Sequence, residues 1–268
     1  MAEKLLEVKH LKKSFEYVAA VDDVSFEMRV GDSVGIVGES GCGKSTMVSL
    51  ISGLLRPDSG EILVSGQPVR SLRRKKEGCH VNMVFQNPID SFDPRQTVFQ
   101  SLNEALCHTR KCGRAENQRR IMEILRSVKL PLEYMDRKVA VLSGGECQRV
   151  AIARVMLTEP DLFICDEATS ALDMSVQAQI IQLLADLKKE RRISYLFISH
   201  DLAVVSCLCD KVLVMYKGKI VERGEVSEIM NNPRHPYTKL LVNCAKAFSA
   251  ERLNEKLVLP EVPESIEV

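Results

Sequence analysis

One stretch constrains this chain more than any other: Gly38-Glu39-Ser40-Gly41-Cys42-Gly43-Lys44-Ser45-Thr46. It reads G-x-x-x-x-G-K-S, a spacing whose chemistry works only between a strand and a helix. Ahead of it Ser33-Val34-Gly35-Ile36-Val37 is short, apolar and partly β-branched, the pattern of a buried strand. Behind it the run from Met47 to Leu55 carries an apolar helical face. The three glycines let the backbone curl with its N–H groups turned inward on an anion. The helix start adds a partial positive charge. Lys44 is placed to reach the β- and γ-phosphates of a nucleotide as a point charge, and Ser45 to ligate Mg²⁺.

A second constellation narrows the chemistry. Asp161 to Glu167 is a continuous buried strand that ends in two carboxylates. Asp166 is suited to hold the Mg²⁺ shell through water, and Glu167 to accept a proton from an attacking water. Successive strand side chains point opposite ways, so both face one site only if the chain turns as the strand ends, over Ala168-Thr169-Ser170. Leu142-Ser143-Gly144-Gly145 precedes another helix and offers a second anion cradle, this one without a lysine. Taken alone this run reads equally as a flexible S-G-G loop; beside the first cradle it points to a phosphate held by another subunit, which would make the active site composite, closed by ATP between two protomers.

The rest of the chain alternates strands and helices. Leu5–Leu11 and Val21–Met28 read as an antiparallel pair, with polar Lys12 to Tyr17 between them. Arg56 to Gly60 is a turn, Glu61 to Gly66 a strand, and Arg70 to Lys76 a basic loop. His80 to Gln86 is a strand ending in glutamine, and Ser194 to His200 one ending in histidine. Helical periodicity runs from about Thr97 to Leu142, an insertion in an otherwise α/β chain. Helices follow over Cys147–Leu157, Val176–Glu190 and Leu202–Cys209, then a hairpin around Lys217-Gly218. After Pro233-Arg234-His235-Pro236-Tyr237 the reading is one short helix and a disordered tail from about Leu259.

Composition sets limits. A net charge of +1, 27% charged residues and no Trp give neither a basic nucleic-acid footprint nor stacking platforms for bases. The N-terminus has no apolar signal segment and no stretch reaches membrane-helix length, so a cytosolic protein able to dock on a membrane partner is expected. The nine cysteines form no C-x-x-C pair and read as reduced, mostly buried hydrophobes.

Together these motifs resemble the ATP-binding cassette (ABC) subunits of membrane transporters, in that family's order and over roughly residues 5 to 240. Walker A is Gly38 to Thr46, the Q-loop glutamine Gln86, the signature Leu142 to Glu146, Walker B Leu162 to Asp166, the D-loop Ser170 to Asp173 and the H-loop histidine His200. The resemblance implies an α/β fold: a P-loop NTPase core with a mainly parallel sheet, an N-terminal antiparallel β subdomain and a helical signature subdomain. Residues 1–240 would form the ATPase domain, with the helical subdomain at about 87–157, and 241–268 a partly disordered extension. It implies an ATP hydrolase coupled to transport, with Phe15 stacking on adenine (Tyr17 the alternative) and Gln86 joining Ser45 and Asp166 around Mg²⁺. Glu167 would activate water, His200 would contact the γ-phosphate, and Ser143, Gly144 and Gly145 would close on a partner's nucleotide.

A finer similarity, in Val84-Phe85-Gln86-Asn87-Pro88, Ser91, Pro94-Arg95, Thr97-Val98 and the tail Asn232 to Thr238, is to the oligopeptide, dipeptide and nickel import ATPases. It implies a second, non-identical ABC ATPase subunit, two membrane permease subunits and, indirectly, an extracellular solute-binding protein, at the cytoplasmic face of the cell membrane. A short helix of the membrane subunit would dock near Gln86. Only Cys244 follows H-P-Y-T, so no iron–sulfur site is expected. The signature ends in Glu146 where glutamine is usual, which would put a carboxylate near a triphosphate. The alternative is a soluble cassette ATPase acting on nucleic acid or ribosomes; the single cassette, the absent coiled-coil run and the absent basic face oppose it. Glu167 and His200 oppose a silent regulatory subunit.

Overall fold

The computed structural model describes residues 3–72, 81–109, 113–167, 172–191 and 193–256. The N-terminal strands β1 (Lys4–Phe15) and β2 (Val18–Arg29) pair antiparallel along their whole length, Lys4 opposite Arg29 and Phe15 opposite Val18. Both run further than the alternation indicates, so Lys12 to Phe15 is strand and Glu16-Tyr17 a tight turn. After β3 (Ser33–Val37) and α1 (Lys44–Ile51), strands β4 (Ser59–Val64) and β5 (Gln67–Pro68) complete this sheet in the order β2-β1-β4-β5. Helix α1 starts three residues earlier than expected and stops at Ile51, because Gly53 takes a left-handed φ of 72°. A short α2 (Val69–Leu72) follows, and most of the expected basic loop lies outside the described residues.

The second sheet holds six strands. β6 (Val81–Val84), β7 (Leu162–Asp166), β8 (Ser194–Ser199), β9 (Lys211–Tyr216) and β10 (Lys219–Glu225) join β3 in the order β10-β9-β3-β8-β7-β6. Every pair is parallel except the β9–β10 hairpin. Its inner strands β3, β7 and β8 are buried on both sides because both faces are covered. Val34, Ile36, Ile164 and Ile198 pack toward α1 and the antiparallel sheet. Val37, Phe163, Cys165 and Phe197 pack into the core of the helical face. That face is built by α3 (Val98–Thr109), α4 (Arg114–Ser127), α5 (Gly144–Leu157), α6 (Met174–Arg191) and α7 (Leu202–Leu208). Four of the described cysteines, Cys42, Cys147, Cys165 and Cys209, are buried and free; Cys107, Cys207 and Cys244 are exposed and free.

The C-terminal region corrects the sequence reading. The helix expected after Pro233 is the 21-residue α9 (Pro236–Lys256) rather than a short one, and α8 (Val226–Asn231), not read from the sequence, precedes it. Tyr237, Val242 and Ala245 on α9 are buried, and α9 packs against α7 and α8. The expected disordered tail beyond residue 256 lies outside the described residues.

Candidate nucleotide site

The glycine loop between β3 and α1 is held by close backbone contacts on its outer side. Gly43 caps α1 with φ 108°, and a methyl placed on it would sit 2.0 Å from the Ala20 carbonyl oxygen on β2. A methyl on Gly38 would sit 2.2 Å from the carbonyl oxygen of Met215 on β9. No L-residue with a side chain fits either place without moving backbone. Gly218 N–H, in the β9–β10 turn, donates to Cys42 O at 3.0 Å. Lys44 is only 4% exposed. Its ammonium donates to the carbonyls of Gly38 and Glu39, both at 2.8 Å, with Cys42 Sγ at 3.9 Å. Burying an ammonium is costly unless it is hydrogen-bonded, and here the loop itself supplies the acceptors. Ser45 lies exposed on the first turn of α1.

The strand ends carry the acid–base groups. In the register of the parallel strands Val84 sits beside Cys165, and Cys165 beside Phe197. Gln86, Glu167 and His200, two or three residues further on, therefore emerge side by side. Gln86 Nε2 donates to Glu167 Oε2 at 3.2 Å, and His200 Nδ1 lies 3.7 Å from Glu167 Oε1. The chain turns where the two carboxylates require it. Glu167 itself takes φ 45° while its N–H donates to Ile198 O at 3.0 Å. Such a φ is strained for a residue with a side chain and recurs at functional sites. The expected turn residues Ala168 to Ser170, and the start of the D-loop, lie outside the described residues.

Asp166, one residue earlier, has a buried Oδ1 with no hydrogen-bond partner among the described residues. Burial raises its pKa to about 6, the Glu167 charge adds to the rise, and Lys44 opposes it. A desolvated carboxylate oxygen in this position is suited to a hard cation. The Ser45 hydroxyl and the Gln86 amide are oxygen donors of the kind that would complete a Mg²⁺ shell with it.

The second glycine turn is built differently. Ser143 caps α5 in extended geometry and forms a capping box with Glu146. Glu146 N–H donates to Ser143 Oγ at 3.4 Å, and Ser143 N–H donates to Glu146 Oε2 at 2.8 Å. Tyr134 donates its hydroxyl to Glu146 Oε1 at 2.5 Å, and the Arg137 guanidinium lies 4.0 Å from the Tyr134 ring centre. The Tyr134 hydroxyl and the Ser143 N–H hold the Glu146 carboxyl below its ordinary pKa. The expected carboxylate beside a triphosphate is thus engaged at its own helix start. The S-x-x-E spacing of Ser143 and Glu146 is a sequence signal for this box; nothing local points to Tyr134. Helix α5 packs against α3, α4, α6 and β6, while Ser143 and Gly144 face solvent.

Phe15 and Tyr17 sit at the tip of the β1–β2 hairpin, 47% and 100% exposed. Lys13 Nζ lies 5.4 Å from the Phe15 ring centre. The same hairpin supplies Ala20 to the back of Gly43, which ties this tip to the phosphate loop. A further contact was not read from the sequence: Glu39 N–H donates to the hydroxyl of Tyr237, 198 residues away, at 2.7 Å.

Comparison with known proteins gives a consistent result. The ABC transporter family matches residues 21–170, and the family described as oligopeptide/dipeptide transporter, C-terminal region, matches residues 221–267. The chain is 43% identical over 252 residues to the oligopeptide transport ATP-binding protein OppF of Bacillus subtilis, covering 91% of this chain and 83% of that protein. It is 41% identical over 249 residues to the dipeptide transport ATP-binding protein DppF of Escherichia coli, covering 90% and 73%. Among solved structures, cbiO1 of Clostridium perfringens, part of an ABC transporter complex, superposes with a TM-score of 0.77 at 26% identity, covering 96% of this chain and all of that one. The ATP-binding cassette MJ0796, solved as a post-hydrolysis dimer bound to ADP and Pi, superposes at 0.73 with 26% identity, covering 83% and 99%.

Proposed function

Because this chain belongs to the ABC transporter family, in its oligopeptide/dipeptide branch, we propose that it binds and hydrolyses ATP to energise a peptide importer. The observation that carries this reading is the cluster Gln86–Glu167–His200 beside the buried, unpartnered Asp166 oxygen and the caged Lys44. Lys44 and the loop N–H groups neutralise the phosphates, and Phe15 stacks on adenine. Ser45, Asp166 and Gln86 hold Mg²⁺, which supplies charge neutralisation on the phosphate oxygens. Glu167 takes the proton from the attacking water, with Gln86 and His200 orienting its two carboxylate oxygens. Ser143 to Gly145 close on the γ-phosphate held by a second, homologous and non-identical ATPase subunit.

Two permease subunits and an extracellular solute-binding protein complete the assembly, with this chain on the cytoplasmic face. Among the described residues no helix is long and apolar enough to cross a membrane, which accords with a peripheral subunit. The names of its relatives favour this reading over an ATPase acting on nucleic acid or ribosomes. The test is Glu167→Gln in the assembled complex. ATP binding should persist while hydrolysis falls by about 10²- to 10⁴-fold and a closed dimer accumulates. Hydrolysis at the parental rate would remove Glu167 from the mechanism.

A further inference from the structure

The run His235-Pro236-Tyr237-Thr238 marks a subfamily in the sequence, but the nucleotide reading leaves it without a task. We propose that Tyr237 is a positioning residue for nucleotide binding, acting on Lys44 through the single peptide plane between Gly38 and Glu39. This rests on the ATP-binding reading above. The N–H of that plane donates to Tyr237 Oη at 2.7 Å, and its C=O accepts from Lys44 Nζ at 2.8 Å. A peptide unit is planar and rigid, so one rotation of it would break both contacts together. Amides that donate and accept at once also polarise, which strengthens the pair. The next carbonyl, Glu39 O, accepts from Lys44 Nζ and from Cys42 N–H. Tyr237 thus grips the loop where it grips its own lysine.

The grip has a fixed base. Tyr237 is 7% exposed, and its ring centre lies 4.4 Å from that of Tyr216 at the end of β9. The segment leading into it is pinned to β10, where the Glu222 carboxylate accepts Arg234 N–H at 2.8 Å and His235 N–H at 2.9 Å. His235 Nδ1 in turn accepts Tyr237 N–H at 3.2 Å. Pro236, without an N–H and with φ preset, starts α9 directly behind. The C-terminal segment therefore delivers one hydroxyl to one loop amide from a frame built on the same sheet edge as Met215 and Gly218.

The experiment measures trinitrophenyl-ATP binding on the purified full chain and steady-state ATPase on the assembled complex. Tyr237→Phe keeps the ring stack and removes only the hydroxyl. The expected result is a three- to tenfold weaker Kd and higher KM, about one hydrogen bond's worth. The kcat at saturating ATP should stay within about twofold, and the melting temperature without nucleotide should shift by no more than about 2 °C. Lys44→Ala, run in parallel, should lose binding. Parental affinity in Tyr237→Phe alongside lost binding in Lys44→Ala overturns the role of Tyr237 alone. A loss of affinity that comes with a matching fall in melting temperature also overturns it, because the hydroxyl would then only stabilise the fold. Parental binding in Lys44→Ala would overturn the nucleotide reading itself.

Discussion

The chain contains two glycine-rich turns at helix starts, and they are built on opposite plans. The turn at Gly38 to Lys44 is braced from outside by Ala20, Met215, Gly218 and Tyr237, which come from three distant parts of the chain. Its lysine is buried and already paired with loop carbonyls. The turn at Ser143 to Gly145 is braced by its own helix, through Glu146, and by Tyr134 nearby; Ser143 and Gly144 stand in solvent. A loop that must curve around a multivalent anion needs its backbone fixed in an otherwise unfavourable shape, and only tertiary contacts can do that. A loop that meets an anion held elsewhere needs only a rigid, accessible helix start. The contrast is what the proposed pocket, shared between two subunits, would require of each of its halves.

Five substitutions would sharpen or break this contrast. The largest effect belongs to Lys44→Ala, which should weaken ATP binding by about 100-fold or more, since two charge-assisted bonds to phosphate are lost; equilibrium binding reads it. If binding survives, the braced loop is not the pocket. Next is Gly43→Ala. With φ at 108° and the Ala20 carbonyl in the way, it should cost roughly 1–3 kcal/mol of stability in a denaturation experiment. Gly144→Ala is its counterpart, because among the described residues an added methyl there would meet only Leu172 Cδ2, at an ordinary 3.4 Å. It should leave the isolated chain as stable as the parent, or firmer by up to about 1 kcal/mol, while lowering ATPase in the assembled complex. Equal destabilisation by both glycine changes would erase the distinction.

Smaller effects test the self-braced turn. Ser143→Ala removes the cap from α5 and should cost about 1 kcal/mol, visible in chemical denaturation. Glu146→Gln should leave ATPase unchanged or raised. It should also lower stability at neutral pH by about 0.3–1 kcal/mol, through loss of charge at the helix start. Because the carboxyl of Glu146 is held below its ordinary pKa in the fold, its contribution is present above that ordinary value and lost as pH falls. Parent and variant should therefore draw together as pH falls from the ordinary carboxylate value of about 4.3 and converge only below the lowered pKa. A difference that persists in acid would mean that packing, not charge, links Glu146 to Ser143 and Tyr134.

Much of the core was legible because each signal was local. Ser33–Val37, Leu162–Asp166 and Ser194–Ser199 appear as buried strands where their apolar runs place them. The strand-loop-helix context of Lys44 follows from spacing alone. The misreadings share one cause. Helix α9 reads as short because its buried positions among the described side chains, Tyr237, Thr238, Val242 and Ala245, are too sparse for periodicity to register until α7 and α8 are seen against it. The bond from Glu39 N–H to Tyr237 spans 198 residues and leaves no trace in either local pattern.

The sequence alone determined which residue types could do chemistry here and in what order they occur. A glycine loop ending in lysine, a strand closing on Asp166-Glu167 and strands ending in Gln86 and His200 leave few alternatives, since each motif carries its own backbone requirement. Tertiary structure decided which of them meet. Parallel register set Gln86, Glu167 and His200 side by side, the left-handed turn at Glu167 set how the strand carrying both carboxylates ends, and a C-terminal tyrosine reached the loop that cages the lysine. Those meetings join residues far apart in the chain, and only packing brings such positions within hydrogen-bond reach.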